Sequence, residues 1–473
     1  MSSATGNPSP VLVGRGGTRF PGKTLALVAI VAVLVLGAGV VRLARAAAER
    51  NARLHPTVTA VAVPGAVWPN GADSGVSPRE REIALYADAV RSDPYSANFH
   101  VRLAALYLQR GRETGDYGDF QRAERNARAS LKLRTQHNGP AFVTLASSLM
   151  AQHRFTDAFA IARQLVAGDP EVPQYRSLLA ETQLELGDYQ GAAASFDSVI
   201  TDRGSLSVAP RLARWAELRG DTALARGMLV RVRHEAAARS DLPPEQIAWF
   251  DLRVGDLDLR NGHLGAADSA LREGLRVAPD DYRLLDAMAR LSAVKHDWAG
   301  AISYGERGIA TVLDPATLGI IGDAYAAGGD SAKAREYYHT MEVAVSRQPG
   351  AFHRAWSLFL LDHDRQVPRV LGRVRAEIAT RRDIYGYDLL AWALHKSGRD
   401  AAAVKPMDSA LSLGTQDAML FYHAGVIAHA RHDDRAARGY LEHALAVNPY
   451  FHPTQPAAAR ALLDSLAARQ TGR

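Results

Sequence analysis

The chain has 473 residues, a formal net charge of +6 and no cysteine. The missing thiols exclude disulfides, thiolate metal sites and a cysteine nucleophile. Residues 1–54 hold seven of the 56 basic residues and one of the 50 acidic ones, which leaves 49 of each sign elsewhere. The excess positive charge thus belongs to the N-terminal segment, and nucleic-acid binding gains no support from it.

In chain order, residues 1–23 are rich in Ser, Gly and Pro and read as a basic, disordered tail. Its end, Gly17 to Thr24 (GTRFPGKT), satisfies the phosphate-loop pattern literally. A working phosphate loop follows a buried strand and opens a helix of a parallel-sheet domain. Here Pro21 sits inside the loop and an apolar run follows, so a nucleotide-dependent enzyme is the weakest reading. No cofactor is expected. Residues 24–41 carry no charge and span roughly 27 Å as a helix, close to the thickness of a hydrocarbon core. They read as a transmembrane signal anchor, since the run exceeds the apolar core of a cleaved signal peptide. Cleavage after Ala44-Arg45-Ala46 is the competing reading and would leave a secreted or periplasmic adaptor. Residues 42–76 read as a juxtamembrane segment and an extended, Pro- and Gly-bearing linker.

Ser77-Pro78-Arg79-Glu80 has the form of a helix start: a capping Ser, Pro in the first turn and Glu three residues on. The helix to Ser92 reads as a lone half-unit. From residue 93 to 451 small residues recur on a 34-residue grid: Gly255, Ala289, Ala391 and Gly425, then Ala267, Ala301, Ala403 and Ala437 twelve positions later. Pro279 and Pro449 lie on the same grid. Such a period marks stacked helix pairs. Small residues let two helices approach, Gly frees the turn and Pro ends the second helix. Ten units are counted, with first-helix positions near Ala104, Ala146, Ala180, Ala213, Gly255, Ala289, Gly322, Ser357, Ala391 and Gly425. The eighth is degenerate, with Ser357 and Arg369 at its two small sites. Two insertions, Arg112 to Gly118 and Ser240 to Ile247, break the phase and read as surface loops. Residues 452–473 read as a capping helix and tail.

These residues resemble the tetratricopeptide repeat family, with Gly255, Gly262, Ala267, Gly274 and Pro279 filling one full unit of its pattern. The resemblance covers about three quarters of the chain. It implies an all-α, right-handed superhelical solenoid of about ten helix pairs (77–451), preceded here by the transmembrane helix. It also implies that first helices line a concave groove. Groove positions transferred from the family select Arg214, Trp249, Asp256, Arg260, Arg283 and Arg290 in the middle units. In the ninth and tenth they select Tyr385, Asp388, Trp392, His395, Lys396, Tyr422 and His429. Groove aromatics among charged groups suit a peptide or partner helix. The family's carboxylate-clamp set is absent from these positions. His423, His429 and His432 lack the spacing of a helical metal site, and no carboxylate pair is set apart for acid–base work.

The function expected is that of a membrane-anchored bacterial scaffold that binds a protein or peptide partner. It would have no enzymatic activity, small-molecule substrate, metal or nucleic acid. The expected location is the cytoplasmic membrane, with the solenoid on the extracytoplasmic side. Only six of the 56 basic residues are Lys, which points to a GC-rich bacterial genome.

Overall fold

Small side chains at fixed intervals dictate how these helices pair. The structure, a computed structural model, describes residues 77–347, 353–379 and 381–471. The predicted tail, membrane span, linker and phosphate-loop match all lie outside the described residues. Among the described residues no helix is long and apolar enough to cross a membrane.

Twenty-two α-helices and no strand occur among the described residues. Helix α1 (Pro78–Ser92) opens as expected: the Ser77 hydroxyl accepts from the Glu80 N–H at 3.2 Å. Ten hairpins follow. They pair α2 (Ala97–Thr114) with α3 (Tyr117–Leu133), α4 (Gly139–Ala151) with α5 (Phe155–Gly168), and α6 (Pro173–Leu186) with α7 (Tyr189–Asp197). Next come α8 (Ala209–Leu218) and α9 (Thr222–Ala237), α10 (Pro244–Arg260) and α11 (Leu264–Val277), then α12 (Tyr282–Val294) and α13 (Trp298–Ile309). The last four are α14 (Pro315–Ala327) with α15 (Ser331–Arg347), α16 (His353–Asp362) with α17 (Val367–Glu377), α18 (Ile384–Lys396) with α19 (Asp400–Ala410), and α20 (Ala418–Ala430) with α21 (Asp434–Val447). Helix α22 (Gln455–Thr471) packs on α21 and closes the stack.

The grid residues sit where the helices of a pair touch. Ala267, Ala301, Ala403 and Ala437 are fully buried. A Cβ on Gly255 would lie 2.7 Å from the buried Leu271 side chain, which would have to shift to admit it. Each hairpin turn holds a residue in the left-handed region: Gly115, His153, Gly187, Gly220, Gly262, His296, Gly329, Asp364, Gly398 and His432. His and Asp tolerate this conformation better than most side chains.

Adjacent first helices contact one another along the stack, except α8 and α10, while adjacent second helices do not pack comparably. The first helices therefore form the inner wall. The stack then winds back on itself. Asn448 Nδ2 donates to the carbonyls of Leu259 and Arg260 at 3.1 and 3.0 Å. These are carbonyls of the last turn of α10, a place where intrahelical partners run out. The Thr415 hydroxyl likewise donates to the Leu218 carbonyl at the end of α8. The Tyr189 hydroxyl accepts from the Ile384 N–H at 2.7 Å, and His296 Nε2 donates to the Pro453 carbonyl at 2.9 Å. The turns of the third to sixth hairpins thus dock on the segments around α18, α20 and α22. A Cβ on Gly262 would approach Asn448 Oδ1 to 2.8 Å. One apolar cluster runs through both sides of this seam, from Leu184, Phe196 and Leu218 to Ile384, Trp392 and Leu420.

Both insertions differ from the loops expected. Arg112–Thr114 continue α2, Gly115 ends it at φ +66°, and Asp116 caps α3 through the Gly118 N–H at 2.8 Å. Nothing in the segment breaks a helix before Gly115. Arg110 in the extended helix holds the fully buried Asp119 of α3 at 2.6 Å. In the second insertion, Pro244 starts α10, so only the residues before it form a loop.

Two outcomes follow for stability. Asn448→Ala is expected to lower the unfolding free energy by about 1–3 kcal/mol in urea titration, because the Arg260 carbonyl loses its partner and the Leu259 carbonyl, which also accepts from the Gly262 N–H, loses one of two. Deleting 112–118 is expected to lower the melting temperature clearly, since it removes helix and the turn between α2 and α3. An unchanged melting temperature would restore the loop reading.

Candidate partner-binding interior

Three consecutive first helices place arginine and carboxylate side chains one helical turn apart on the inner wall. Arg214 reaches Glu217 at 2.8 Å on α8. Glu217 accepts from Arg260 of α10 at 2.8 Å, and Arg260 holds Asp256 at 2.5 Å. Asp256 accepts from Arg290 of α12 at 2.9 Å, which also holds Asp286 at 3.1 Å. Asp286 accepts from the Thr317 hydroxyl of α14 at 2.8 Å. The ladder crosses the gap between α8 and α10 through Glu217 and Arg260. Across the interior, the Arg214 guanidinium lies 5.3 Å from the Tyr385 ring of α18, and Arg354 of α16 lies 4.7 Å from it. Glu181 of α6 takes Arg211 of α8 at 2.6 Å.

The electrostatics follow from this arrangement. Burial pushes the Asp256 carboxyl up, but Arg260, Arg290 and Arg253 outweigh it and hold the group far below the usual carboxylate range. Glu217 is lowered in the same way, burial being overcome by Arg260 and Arg214. Glu185 goes the other way: burial raises it against the pull of Arg381, 3.4 Å distant. Burial and the nearby Asp286 likewise raise Asp314.

The structure brings five of the predicted residues together: Arg214, Asp256, Arg260, Arg290 and Tyr385. About a third of the Arg260 and Arg290 side chains stays accessible. Arg283 folds back on its own helix cap, Asp281, at 2.5 Å. Trp249 is half-buried and packs edge-on against Phe250. Others are placed inside the packing instead of on an open surface. Trp392 is 4% exposed, stacks on His423 at 4.1 Å and donates its indole N–H to Asp362 at 2.9 Å. Tyr422 is buried against Phe451, with ring centroids 5.6 Å apart. Asp388 has no accessible surface and is held by His423 at 2.7 Å and Arg354 at 3.2 Å. Burial opposes ionisation of Asp388, but His423 and Arg354 keep it low. His395, Lys396 and His429 pair with Asp400, Asp364 and Asp434. His432 takes the left-handed turn position expected of a turn residue. Family groove positions select neither Arg211 nor Thr317, both of which bond to carboxylates of the wall.

Among the described residues no group of histidine and acidic side chains could hold a metal. Ten hairpins, small residues at their contacts and a left-handed residue in every turn decide the architecture. The fold is a tetratricopeptide-like solenoid. No protein-family model and no curated protein matches the chain. Solved structures similar to it include a tetratricopeptide repeat protein from Parabacteroides merdae, at 13% identity over 51% of this chain and 93% of that one, TM-score 0.36. The type IV pilus biogenesis factor PilW is similar at 17% identity over 46% and 97%, TM-score 0.38. Yeast Tom70 is similar at 12% identity over 78% and 96%, TM-score 0.34.

Asp256→Asn is expected to destabilise the tetratricopeptide-like solenoid by about 1–3 kcal/mol, because Arg260 and Arg290 lose a shared counter-ion. Asp256, Glu217 and Asp388 sit below the unfolded carboxylate range, about 4. The stability they contribute is complete above that range and is lost as pH falls through their folded values. Glu185 and Asp314, raised in the fold, oppose this by gaining stability on protonation. Net loss of melting temperature below about pH 4 should therefore be shallower in Asp256→Asn than in the parent chain. Trp392→Ala should cost about 3–5 kcal/mol as a cavity substitution, measured by urea denaturation. A folded, undiminished Trp392→Ala variant would return that ring to the partner surface.

Proposed function

We propose that this protein is a membrane-tethered scaffold that holds a protein or peptide partner along its inner wall. The observation that carries the reading is the ladder from Arg214 to Asp286. Its side chains are fixed by one another, yet Arg260 and Arg290 keep about a third of their surface accessible. Side chains already ordered lose little entropy on binding, which is how preorganised surfaces gain affinity. The apolar run 24–41 supports the tether, and its length favours an anchor retained in the mature chain. The short basic tail before it supports a cytoplasmic N-terminus, with the solenoid on the extracytoplasmic side of a bacterial cytoplasmic membrane. Partner binding, not catalysis, is the role this reading assigns.

Two measurements test it. Alkaline phosphatase fused after Arg473 should be active in bacterial cells, and the mature protein should retain residues 24–41. A photo-crosslinking amino acid at Arg290 should capture a discrete partner from native membranes. The same probe at Arg272, on the exposed side of α11, should capture none. An inactive fusion would refute the topology. Equal capture at both positions would refute the inner wall as the binding surface.

A further inference from the structure

The ladder is balanced in charge. Arg214, Arg260 and Arg290 face three carboxylates, Glu217, Asp256 and Asp286, and each arginine is tied to at least one of them. All three nitrogens of Arg260 are engaged: Nε and Nη2 with Glu217, and Nη1 with Asp256. Arg290 spends Nε on Asp286 and Nη2 on Asp256. Guanidinium N–H groups point along the edge of the planar group, so these bonds occupy edges and leave the flat faces. About a third of each side chain is still accessible.

The chain itself shows what covers a guanidinium in this state. Arg214, tied to Glu217, lies 5.3 Å from the centre of the Tyr385 ring. Arg354, tied to Asp388, lies 4.7 Å from the same centre. Tyr385 of α18 thus serves two arginines whose charge is already matched, one from α8 and one from α16. The pattern recurs elsewhere. Arg110, tied to Glu80 and Asp119, lies 5.4 Å from the Tyr107 ring, and Arg381, tied to Asp383 and Glu185, lies 5.3 Å from that of Phe155. Among the described residues no ring covers Arg260 or Arg290, although their pairing is of the same kind.

A guanidinium is weakly hydrated and attracts the electron-rich face of an aromatic ring. A charged ligand gains little here. An acid meets Glu217 and Asp256 beside the arginines, and a base meets the arginines beside the acids. An oligonucleotide carries rings too, but its phosphates would need cations that the ladder has already matched. Arg260 and Arg290 stand on adjacent first helices, α10 and α12, whose axes are about 8–10 Å apart. An extended peptide advances about 3.3 Å per residue, so rings three residues apart reach both.

We propose that Arg260 and Arg290 are stacking platforms for aromatic side chains of an uncharged, extended peptide segment, whose rings take on α10 and α12 the place that Tyr385 takes on Arg214. On the reading of the inner wall as a binding surface, on which this rests, the wall selects rings over charges.

Fluorescence polarisation of the full-length chain in detergent tests it. The probe is a fluorescein-labelled peptide of four Phe-Gly-Ser repeats. A counterpart with cyclohexylalanine for phenylalanine keeps the shape and apolarity but has no π face. A Glu-Gly-Ser counterpart and oligothymidylate complete the set. The phenylalanine peptide should bind saturably, and the other three at least about fivefold more weakly. Arg260→Lys and Arg290→Lys keep the charge and lose the flat face, and each should weaken binding about fivefold. Tyr385→Ala uncovers Arg214 and Arg354 and should tighten binding by about threefold, a gain that unfolding cannot produce. Absence of saturable binding overturns the proposal. So does equal or tighter binding of the cyclohexylalanine, glutamate or oligothymidylate probe, unchanged affinity in both lysine variants, or no gain in Tyr385→Ala. Should a lysine variant melt below the assay temperature, the phenylalanine and cyclohexylalanine peptides compared on the parent chain still decide. If crosslinking at Arg290 captures a partner while the peptides fail, the scaffold reading stands and only the aromatic chemistry falls.

Discussion

The seam between distant hairpins is the constraint on which the interior depends. Asn448, Thr415 and Tyr189 each satisfy a backbone group at a helix end far away in sequence. Those groups would otherwise need water, since the ends of helices lack intrahelical partners. With these bonds made, the first helices face one another across a confined space. Tyr385 then comes within reach of Arg214, and ion pairs on the wall are strengthened by reduced access to solvent. An unwound stack would expose the same residues singly, as surface pairs of little worth.

The second consequence concerns how the wall tolerates a break in the repeat. Residues before Pro244 insert between the fourth and fifth hairpins, and α8 and α10 no longer pack closely. Glu217 and Arg260 bridge the interval with long side chains, where short apolar contacts could not reach. The eighth unit shows a different accommodation. Arg369 cannot occupy a small-residue site and lies exposed, while Val370 beside it is buried in its place.

The hairpins were legible because close helix crossings admit only small residues, and that demand recurs at Gly255, Ala267, Ala391 and Ala437 whatever else the unit contains. The ladder was legible for a related reason: Arg214, Asp256 and Arg290 occupy the same repeat position on successive first helices, and Arg260 lies one turn after Asp256. Trp392 occupies that same repeat position and Tyr422 another groove position, but there His423 of the next first helix and Phe451 after the last hairpin offer flat partners, and the rings pack inward. Position alone does not distinguish these outcomes. The seam was not legible at all. It depends on small rotations accumulated over many hairpins, and no local pattern encodes their sum. The first insertion was misjudged because Gly115 and Asp116 are turn residues, although the helix before them runs unbroken to Thr114.

The same seam sets the order in which the chain can assemble. A hairpin closes over a few dozen residues and needs nothing beyond its neighbour, so helix pairs can form wherever they nucleate. The bonds of Asn448 to Leu259 and of Thr415 to Leu218 span 189 and 197 residues. Closing so long a loop carries an entropic cost that only a nearly complete stack removes, by holding the two sides at the right separation. Local winding therefore comes first and closure last, and the binding interior comes into being in that final step.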